Sequence, residues 1–538
     1  MVDVLVVGAG PVGLMTALEL TRRGVTVRLI DAADGPATTS RAAAIHARSQ
    51  EVLDQVGLYE TFAARAVQGH GIALWSEGTE LARMDARFTD EATRFEGVWF
   101  IDQAITEGLL REALAARGVT PEWGVRLTGL AEQADAVSAD LQHTDGTAEQ
   151  SRTPWLVGAD GGHSVVRKQL GVRLAGESSE TWLIADAEIE TAQPLSHDRI
   201  RWIRAGGETV MLFPLVGERR WRLLDTVEVS YDGDPDAIAK RFADKLTRGL
   251  GYRVTVDTPS WVSVFTIQQR AAPTMQSHPG DCRPSRCFLV GDAAHVHSPA
   301  SGQGLNTGLQ DAVNLAWKLA DAAREQVQAP AAEALLASYS AERVPVGQAL
   351  LSSTRTATML VELRNTTVDR HLPAVFESLQ ALPPLFHALG QSFLGGMSGL
   401  GIAYPTSPLT VHDNDTTRPG PRPGQRLAQV RHDDATDPSW QLVLAALRDP
   451  DWTLLAAVTD PASAQLHHGL GATWPAPTLC PVDGLAADQL GLRTGPPDTT
   501  PSGDSTTTRW LLVRPDGYVA ARGSNRVDLD RALAQITR

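Results

Sequence analysis

The chain has 538 residues, with 48 Lys and Arg against 63 Asp and Glu and a formal net charge of −15; a balance that acidic excludes nucleic acid as the main partner, because neutralising phosphates needs a basic face. With 43% hydrophobic and 21% charged residues the composition is that of an ordinary globular protein, long enough for two or three domains at roughly 100–200 residues each. Three cysteines, Cys282, Cys287 and Cys480, are too few for a disulfide framework or a zinc site, so a reducing cytoplasm is expected. No run of ~18 apolar residues offers a membrane span, and no signal-peptide pattern opens the chain.

The opening VDVLVV is a buried strand. GAGPVG follows, then the amphipathic PVGLMTALELTRRG and a second apolar strand, VTVRLID, closing on Asp31. Strand, glycine turn, helix and strand are how a parallel α/β domain begins. Helical spacing continues from Ser40 to Gly57, with Arg41 and Arg48 in it, and again from Asp102 to Arg117. RTPWLVGADGGHSVVRKQLG, from Arg152 to Gly171, repeats the strand–turn–helix grammar. From Thr181 to Ser277 apolar and polar residues alternate, as in DRIRWIRAGGETVMLFPLVGERRWRLLDTVEV. That period of two predicts an antiparallel sheet inserted into the α/β domain, joined by the stretch from Gly71 to Val98. A third strand–turn–helix unit, CFLVGDAAHVHSPASGQGLNTGLQDAVNLAWKL, ends at Leu319, and helix continues to about Thr367. A polar linker, Val411 to Leu427, precedes a small α/β unit in which RWLLVRPDGYVAAR reads as a hairpin around Pro-Asp-Gly.

Three motifs carry chemistry. In GAGPVG, Gly8 permits a tight turn, Gly10 lets a pyrophosphate approach the backbone, and Gly13 lets helix and strand pack closely. Pro11 and Val12 open the helix, whose N-terminus offers N–H donors to phosphate. Asp31, followed by Ala32, suits a ribose hydroxyl pair and favours an unphosphorylated adenosine ribose. In GADGGHSVVR, Asp160 stands in a glycine-flanked turn ahead of a helix; Ser164 lacks the second glycine of a nucleophile elbow. In the third, Asp292 follows a strand and can take a sugar hydroxyl, and Pro299 stiffens the loop. Gly302 and Gly304 allow close approach, and the helix from Leu305 and Asn306 presents Ala312, Leu315, Ala316, Leu319 and Ala320 on one face. His295 and His297 invite a metal reading, but no acidic or histidine partner stands four residues on, so no metal is expected.

Together and in this order, GAGPVG, GADGGHSVVR and VGDAAHVHSPASGQGLN resemble the single-component flavoprotein aromatic hydroxylases, the group of p-hydroxybenzoate hydroxylase and phenol hydroxylase. The resemblance covers residues 1 to about 405. SRAAAIHARSQEVL is similar to the family's two-arginine helix, DQAITEGLLREAL places Gln103 on its FAD-contacting glutamine, and YSAERVPVG (Glu342, Arg343) matches as well. The strand VRL ending at Leu127 is a candidate adenine neighbour. The tail resembles the thioredoxin-like domain of the phenol-hydroxylase branch. Cys480 stands alone there, so no thiol redox chemistry is expected.

The resemblance implies an α/β fold, α+β overall. A Rossmann-type FAD-binding domain would cover 1–75, 99–180 and 278–405, an antiparallel-sheet substrate domain 76–98 and 181–277, and a thioredoxin-like domain 406–538. It implies FAD, held by Gly8, Gly10, Pro11, Val12, Gly13, Asp31, Ala32, Arg41, Gln103, Leu127, Asp160, Asp292, Pro299, Gly302, Gly304, Leu305 and Asn306. NADPH or NADH would bind transiently as co-substrate, with the Asp160 turn contributing. The expected reaction is hydroxylation of an electron-rich aromatic or polyketide substrate by O2 through a C4a-hydroperoxyflavin, shielded from water by the sheet domain. Trp99, Trp202, Met211, Phe213 and Pro214 are candidates for pocket lining, with core packing as the competing reading; no side chain stands out as a catalytic base. Baeyer–Villiger oxygenation, epoxidation and antibiotic inactivation remain open, as does a flavin-binding assembly module without turnover. A cytoplasmic protein, possibly a homodimer, is expected.

Overall fold

Val4–Val7, apolar throughout, forms strand β1 at the centre of a parallel sheet. The structure, a computed structural model, describes residues 2–38, 42–85, 93–95, 97–277, 285–298, 302–324, 327, 329–362, 396–413, 415, 417–457, 466, 474–493 and 509–537. Elements are numbered in chain order. On one side of β1 lie β2 (Val27–Asp31) and β8 (Glu122–Trp123), and on the other β12 (Trp155–Gly158) and β19 (Cys287–Leu289), all parallel. Helix α1 (Pro11–Arg22) packs against α4 (Gln103–Ala115) and α7 (Gln303–Ala323). Contact with α7 is close because a Cβ on Gly308 would collide with Val12.

The expected inserted sheet is present and larger than the alternation showed. Its order is β20 (His295–Val296), β18 (Trp261–Ala271), β13 (Ala175–Thr191), β16 (Arg220–Asp225), β15 (Glu208–Pro214), β14 (Ile200–Ala205), β5 (Gly71–Ser76) and β6 (Thr79–Asp85), with β17 (Val254–Val256) on β13. It takes in Gly71–Ser76, part of the stretch expected to join it, reaches back to Ala175 ahead of the expected Thr181, and recruits His295–Val296 from the third motif. These residues join through distant partners: Ile72 pairs with Ile200, Ala175 with Ala271 and His295 with Ala271. One sheet face, with Ile203, Val210, Leu212 and Leu223, packs on Ile238, Phe242 and Leu246 of α6 (Pro235–Leu250). The other face carries Trp182, Ile184, Met211, Phe213 and Leu224 and meets Ala44 and Phe100 of the α/β domain.

One helical expectation is corrected. The helix read from Ser40 begins only at Ala47 (α2, Ala47–Gln55), because β3 (Ala44–Ile45) pairs with β7 (Val98–Phe100); β4 (Val67–Gly69) completes that small sheet. Helix α7 carries the expected Ala312, Leu315, Ala316, Leu319 and Ala320 in the core, and its other faces are covered as well. Every residue from Asn306 to Ala322 is buried, because α1, α2, α8 (Ala329–Glu362) and the C-terminal unit all reach it. Strands β9 (Val125–Glu132), β10 (Val137–His143) and β11 (Ala148–Thr153) form a separate antiparallel sheet.

In the C-terminal unit, β21 (Thr453–Ala457) pairs in parallel with β22 (Thr478–Val482) and antiparallel with β23 (Trp510–Val513), which pairs with β24 (Val519–Gly523). One sheet face has its own core around Trp440, Val443 and Leu511. The opposite face shares a cluster with Trp317 and Leu335 of the α/β domain. The expected Pro-Asp-Gly turn forms, with Gly517 at φ +79°. Its tip is driven between α2, α7 and α8: Arg48 Nη2 donates to the Asp516 carbonyl at 3.0 Å, and Arg514 holds Glu342 at 2.7 Å. Arg48, expected beside Arg41 on a cofactor helix, is thus an interdomain residue.

Asp321, near the end of α7, is 6% exposed and accepts from Trp474 Nε1 at 2.9 Å. Burial raises its carboxyl from 3.8 to about 6. The folded form therefore keeps a proton that the unfolded chain releases, and stability is lost as pH rises through that interval. Asp321→Asn keeps an acceptor for Trp474 and removes the buried charge. At pH 7.5 it is expected to stabilise the protein by on the order of 1–3 kcal/mol. At pH 4 it is expected to be near neutral; denaturant titration at the two pH values checks this.

Candidate functional site

The glycines of GAGPVG divide into two that are enclosed and one that is open. Gly8 has φ +105°, and a Cβ there would overlap the Ala159 backbone. A Cβ on Gly13 would overlap the Gly8 carbonyl. These positions press the β1–α1 turn onto the turn that carries Asp160. Around Gly10, by contrast, nothing lies within 4 Å of a built Cβ. Gly10 is the N-cap of α1 at φ −69°, with Pro11 next and no side-chain cap. A helix N-terminus left open in this way is suited to an anion. Asp31 closes the side: Oδ2 accepts from the Ala9 amide at 2.7 Å and Oδ1 from Ala33 at 2.8 Å. Each oxygen keeps a lone pair for a ribose hydroxyl. Ala32 is half-buried beside it.

Helix α4 supplies the next wall. Gln103 Oε1 accepts from the Ala42 amide at 3.1 Å, and its Nε2 donates to Glu107 Oε1 at 2.9 Å. Glu107 is 2% exposed, and burial, with Asp31 adding a like charge, raises its carboxyl above the usual value. Arg111, one turn further, stands 3.6 Å from Glu107. Its Nη1 is buried without a hydrogen-bond partner among the described residues. Arg111 was not singled out in the sequence; the signal available was the i, i+4, i+8 series Gln103, Glu107, Arg111 on one helix face. The Leu127 side chain is packed in the core at 3% exposure, so only its backbone can face a ligand. Arg41 and Pro299 lie outside the described residues.

The third motif builds a second open helix start. Gly302 is the left-handed N-cap of α7, at φ +62°, with no side-chain cap. Gly304 and the half-buried Leu305 follow, and a Cβ on Gly304 would stand 3.9 Å from Asp292 Oδ1. Asp292 is exposed in a single 3-10 turn, Gly291–Ala293. The Asn306 side chain does not turn outward. Its Oδ1 accepts from the His46 amide at 2.8 Å, and Nδ2 donates to the carbonyls of Ala44 at 2.9 Å and Gly302 at 2.7 Å. It clamps β3 to the cradle. The Asp160 carboxylate is also engaged, by Ser164 Oγ at 2.5 Å and the Val165 amide at 2.6 Å. It caps α5 (Val165–Gln169), where Arg167 reaches the Ala293 carbonyl at 3.0 Å and ties the second motif to the third.

These residues fit an FAD. The open turn at Gly10 suits the pyrophosphate, Asp31 the ribose, and Arg111 Nη1, ion-paired with Glu107 but without a hydrogen bond among the described residues, a further anionic or carbonyl oxygen. The uncapped start of α7 offers N–H donors and positive dipole to the electron-accepting end of the ring system.

Of the apolar candidates, Met211 and Phe213 share the inner sheet face with half-buried Trp202. Pro214 is buried at the strand end, paired with Trp221. Trp99 is elsewhere: β7 alternates, so Trp99 joins the core of the α/β domain, 4.9 Å from Tyr59 and with Nε1 on Gln68. Its neighbour Phe100 faces the sheet instead. Trp182 Nε1, fully buried on the same face, has no hydrogen-bond partner among the described residues. On the same face Arg222 grips both Asp186 oxygens at 2.8 Å.

Comparison with known proteins places this geometry. The family described as "FAD binding domain" matches residues 1–354. The 6-methylpretetramide 4-monooxygenase of Streptomyces rimosus is 44% identical over 97% of this chain and 90% of its own length. The pentachlorophenol 4-monooxygenase of Sphingobium chlorophenolicum is 30% identical over 98% of this chain and 95% of its own. Among solved structures, the anhydrotetracycline hydroxylase of Streptomyces rimosus superposes with a TM-score of 0.70 at 28% identity, covering 99% of this chain and 98% of that one.

Proposed function

The chain belongs to the FAD-binding family of flavoprotein aromatic hydroxylases, and from that premise we propose that its substrate is a fused-ring phenolic polyketide. It is an FAD-dependent monooxygenase that uses NAD(P)H and O2 to hydroxylate an aromatic compound. Bound flavin supplies the activation of oxygen; the chain binds, orients and shields.

The observation that carries the substrate proposal is the double role of Ala44. Its carbonyl is held by Asn306 at the start of α7, and its side chain joins Phe100, Met211 and Phe213 on the sheet face. Cradle and apolar face are therefore one residue apart. A flat hydrocarbon ring system suits such a wall. The Trp182 N–H and the Arg222–Asp186 pair would meet polar groups on its rim, since a buried donor left unmatched is costly. The 6-methylpretetramide and anhydrotetracycline enzymes act on compounds of this kind by name, which supports the reading.

We place the protein in the cytoplasm; among the described residues no helix is long and apolar enough to cross a membrane. For the C-terminal unit we propose a thioredoxin-like form, supported by the strand order β22-β21-β23-β24. Burial lifts its Cys480 thiol to about 11, which keeps it un-ionised and unreactive at pH 7.

The test is direct. Purified protein should be yellow, and NADPH oxidation should accelerate with tetracyclic phenols more than with single-ring phenols, giving a product heavier by one oxygen. Equal stimulation by phenol and by tetracyclic candidates would overturn the ring-system assignment. A ring-expanded lactone would instead favour Baeyer–Villiger chemistry.

A further inference from the structure

Residues 396–400, Gly-Met-Ser-Gly-Leu, belong to none of the three motifs. Their shape is set locally. Ser398 Oγ accepts from the Leu400 amide at 3.2 Å, and Gly399 is left-handed at φ +73°. A Cβ on Gly399 would stand 3.2 Å from the Arg48 side chain of α2 and 3.1 Å from Gln310 Nε2 of α7. The turn thus lies tight against both helices, where only a bare backbone fits easily.

Its backbone is tied at each end by a side chain from elsewhere. Gln303, the first residue of α7, donates Nε2 to the carbonyls of Gly396 at 3.1 Å and Met397 at 3.4 Å. Gln303 directly follows Gly302, the open N-cap of the second cradle. At the other end Arg426, from the C-terminal unit, donates Nε to the Leu400 carbonyl at 3.2 Å, while its Nη1 reaches Glu51 Oε1 on α2 at 2.7 Å. Arg426 is 2% exposed. Its backbone is fixed to the C-terminal hairpin: the Val519 amide donates to the Gln425 carbonyl and the Leu427 amide to the Gly517 carbonyl, each at 2.8 Å.

Both ties grip carbonyls, so neither uses the side chains of Met397 and Leu400. These are half-buried and pack on a cluster of Ala47, Ile72 and Phe95, against which Ile200 and Trp202 of β14 also lie. Ile200 and Trp202 in turn border Met211 and Phe213 on the inner sheet face. The turn therefore bridges the start of α7 and the apolar face assigned to the aromatic substrate.

We propose that residues 396–400 form a wall of the substrate cavity in which Met397 and Leu400 set the size of ring system admitted, and that the C-terminal unit holds this wall in place through Arg426. This rests on the fused-ring hydroxylase reading. Met397 and Leu400 touch the substrate; Gln303 and Arg426 are positioning residues. The unbranched thioether of methionine follows the edge of a flat ring system and makes favourable sulfur–aromatic contact. Arginine suits the far post, since one planar fork serves a carboxylate and a carbonyl together. The C-terminal unit thereby has a task in the reaction: the side chain that closes its seam on Glu51 also sets one end of the wall.

The experiment uses the FAD-loaded full chain and two probes, 1-hydroxyanthraquinone with three fused rings and 1-naphthol with two, their dissociation constants measured by equilibrium dialysis. Met397→Trp should weaken the three-ring probe about tenfold or more and leave the two-ring probe within about twofold. Arg426→Lys keeps a cation for Glu51 but lacks the second arm for Leu400. It should weaken the three-ring probe about tenfold, with the two-ring probe and the flavin content unchanged. If Arg426 served the seam alone, thermal stability would fall and the ratio of the two constants would stay as in wild type, overturning the part given to the C-terminal unit. Equal change for both probes in Met397→Trp, or none, would overturn the wall. Wild type decides even if the variants do not fold: 2-azidoanthraquinone, photolysed in the binding mixture, should label the peptide holding Met397 and Leu400, and labelling confined to other peptides overturns the wall. If wild type oxidises NADPH no faster with tetracyclic phenols than with phenol, it is the fused-ring reading that fails, and the site of the photolabel still decides the wall.

Discussion

Replacing Glu342 by alanine lowers the stability of the chain by about 3–5 kcal/mol, because it strands buried cations. Glu342 Oε2 receives Lys318 Nζ at 2.8 Å, Asn314 Nδ2 at 2.7 Å and Arg514 Nη2 at 2.9 Å, while Oε1 takes Arg514 Nη1 at 2.7 Å and Ser407 Oγ at 2.5 Å. All of these side chains are buried. Burial alone would raise the Glu342 carboxyl, but Arg514 and Lys318 hold it far below its ordinary value, while burial lowers Lys318 to about 8. Without the carboxylate, Lys318 keeps one hydrogen bond among the described residues, to Asn314 Oδ1 at 2.9 Å, and Arg514 leans on Asp516. Because Lys318 and Glu342 belong to α7 and α8 and Arg514 to the C-terminal hairpin, the loss loosens the seam between the two units. Thermal unfolding followed by flavin fluorescence and by tryptophan should show FAD released with the first transition. A chain cut before Thr406 should fare worse, since it also uncovers Trp317 and Leu335, and is expected to yield no soluble flavoprotein. Wild-type stability in Glu342→Ala, or a flavin-loaded truncated chain, would show that the C-terminal unit is only tethered.

The second large effect separates two glycines of one motif. Gly13→Ala places a methyl on the Gly8 carbonyl and on Ala159. Backbone cannot step aside cheaply there, so overpacking of about 1–3 kcal/mol or more is expected, with the cofactor turn distorted as well. Gly10→Ala meets open space at a φ of −69°. Its apoprotein should be as stable as wild type within about 0.5 kcal/mol. FAD affinity should nevertheless fall at least about tenfold, or 1.4 kcal/mol, because the methyl occupies the approach to the helix N-terminus. Fluorescence titration with FAD and apoprotein melting measure the two quantities separately. Undiminished FAD binding by Gly10→Ala would remove the pyrophosphate from this turn.

The same contrast explains what could be read in advance. GAGPVG with Asp31, the Gln103 helix, the glycines before α7 and the Pro-Asp-Gly hairpin are local patterns whose geometry is decided within a dozen residues, and each is found where expected. The period-two alternation identified the large sheet and the stretch from Gly71 that joins it, but missed Ala175 and His295–Val296, which become strand only by pairing with Ala271 and Arg270. Trp99 and Phe100 were indistinguishable as apolar neighbours. The pairing of β7 with β3 and β4 sends one to each face. Arg48, beside Arg41 in a cofactor-like helix, had no local sign that its partner would be Asp516.

The sequence by itself determined the chemistry available: a dinucleotide-binding turn, a second glycine-opened helix and a sheet between them, whose order resembles the flavoprotein aromatic hydroxylases and through that resemblance named the cofactor and the reaction. Tertiary structure alone decided which buried charges meet, as in Arg514 with Glu342 and His295 with Asp311, and how one hairpin locks the C-terminal unit in place. The physical reason is burial. A charged side chain enters the interior only if a partner arrives with it. That partner comes from chain closure over long separations, which local pattern does not encode.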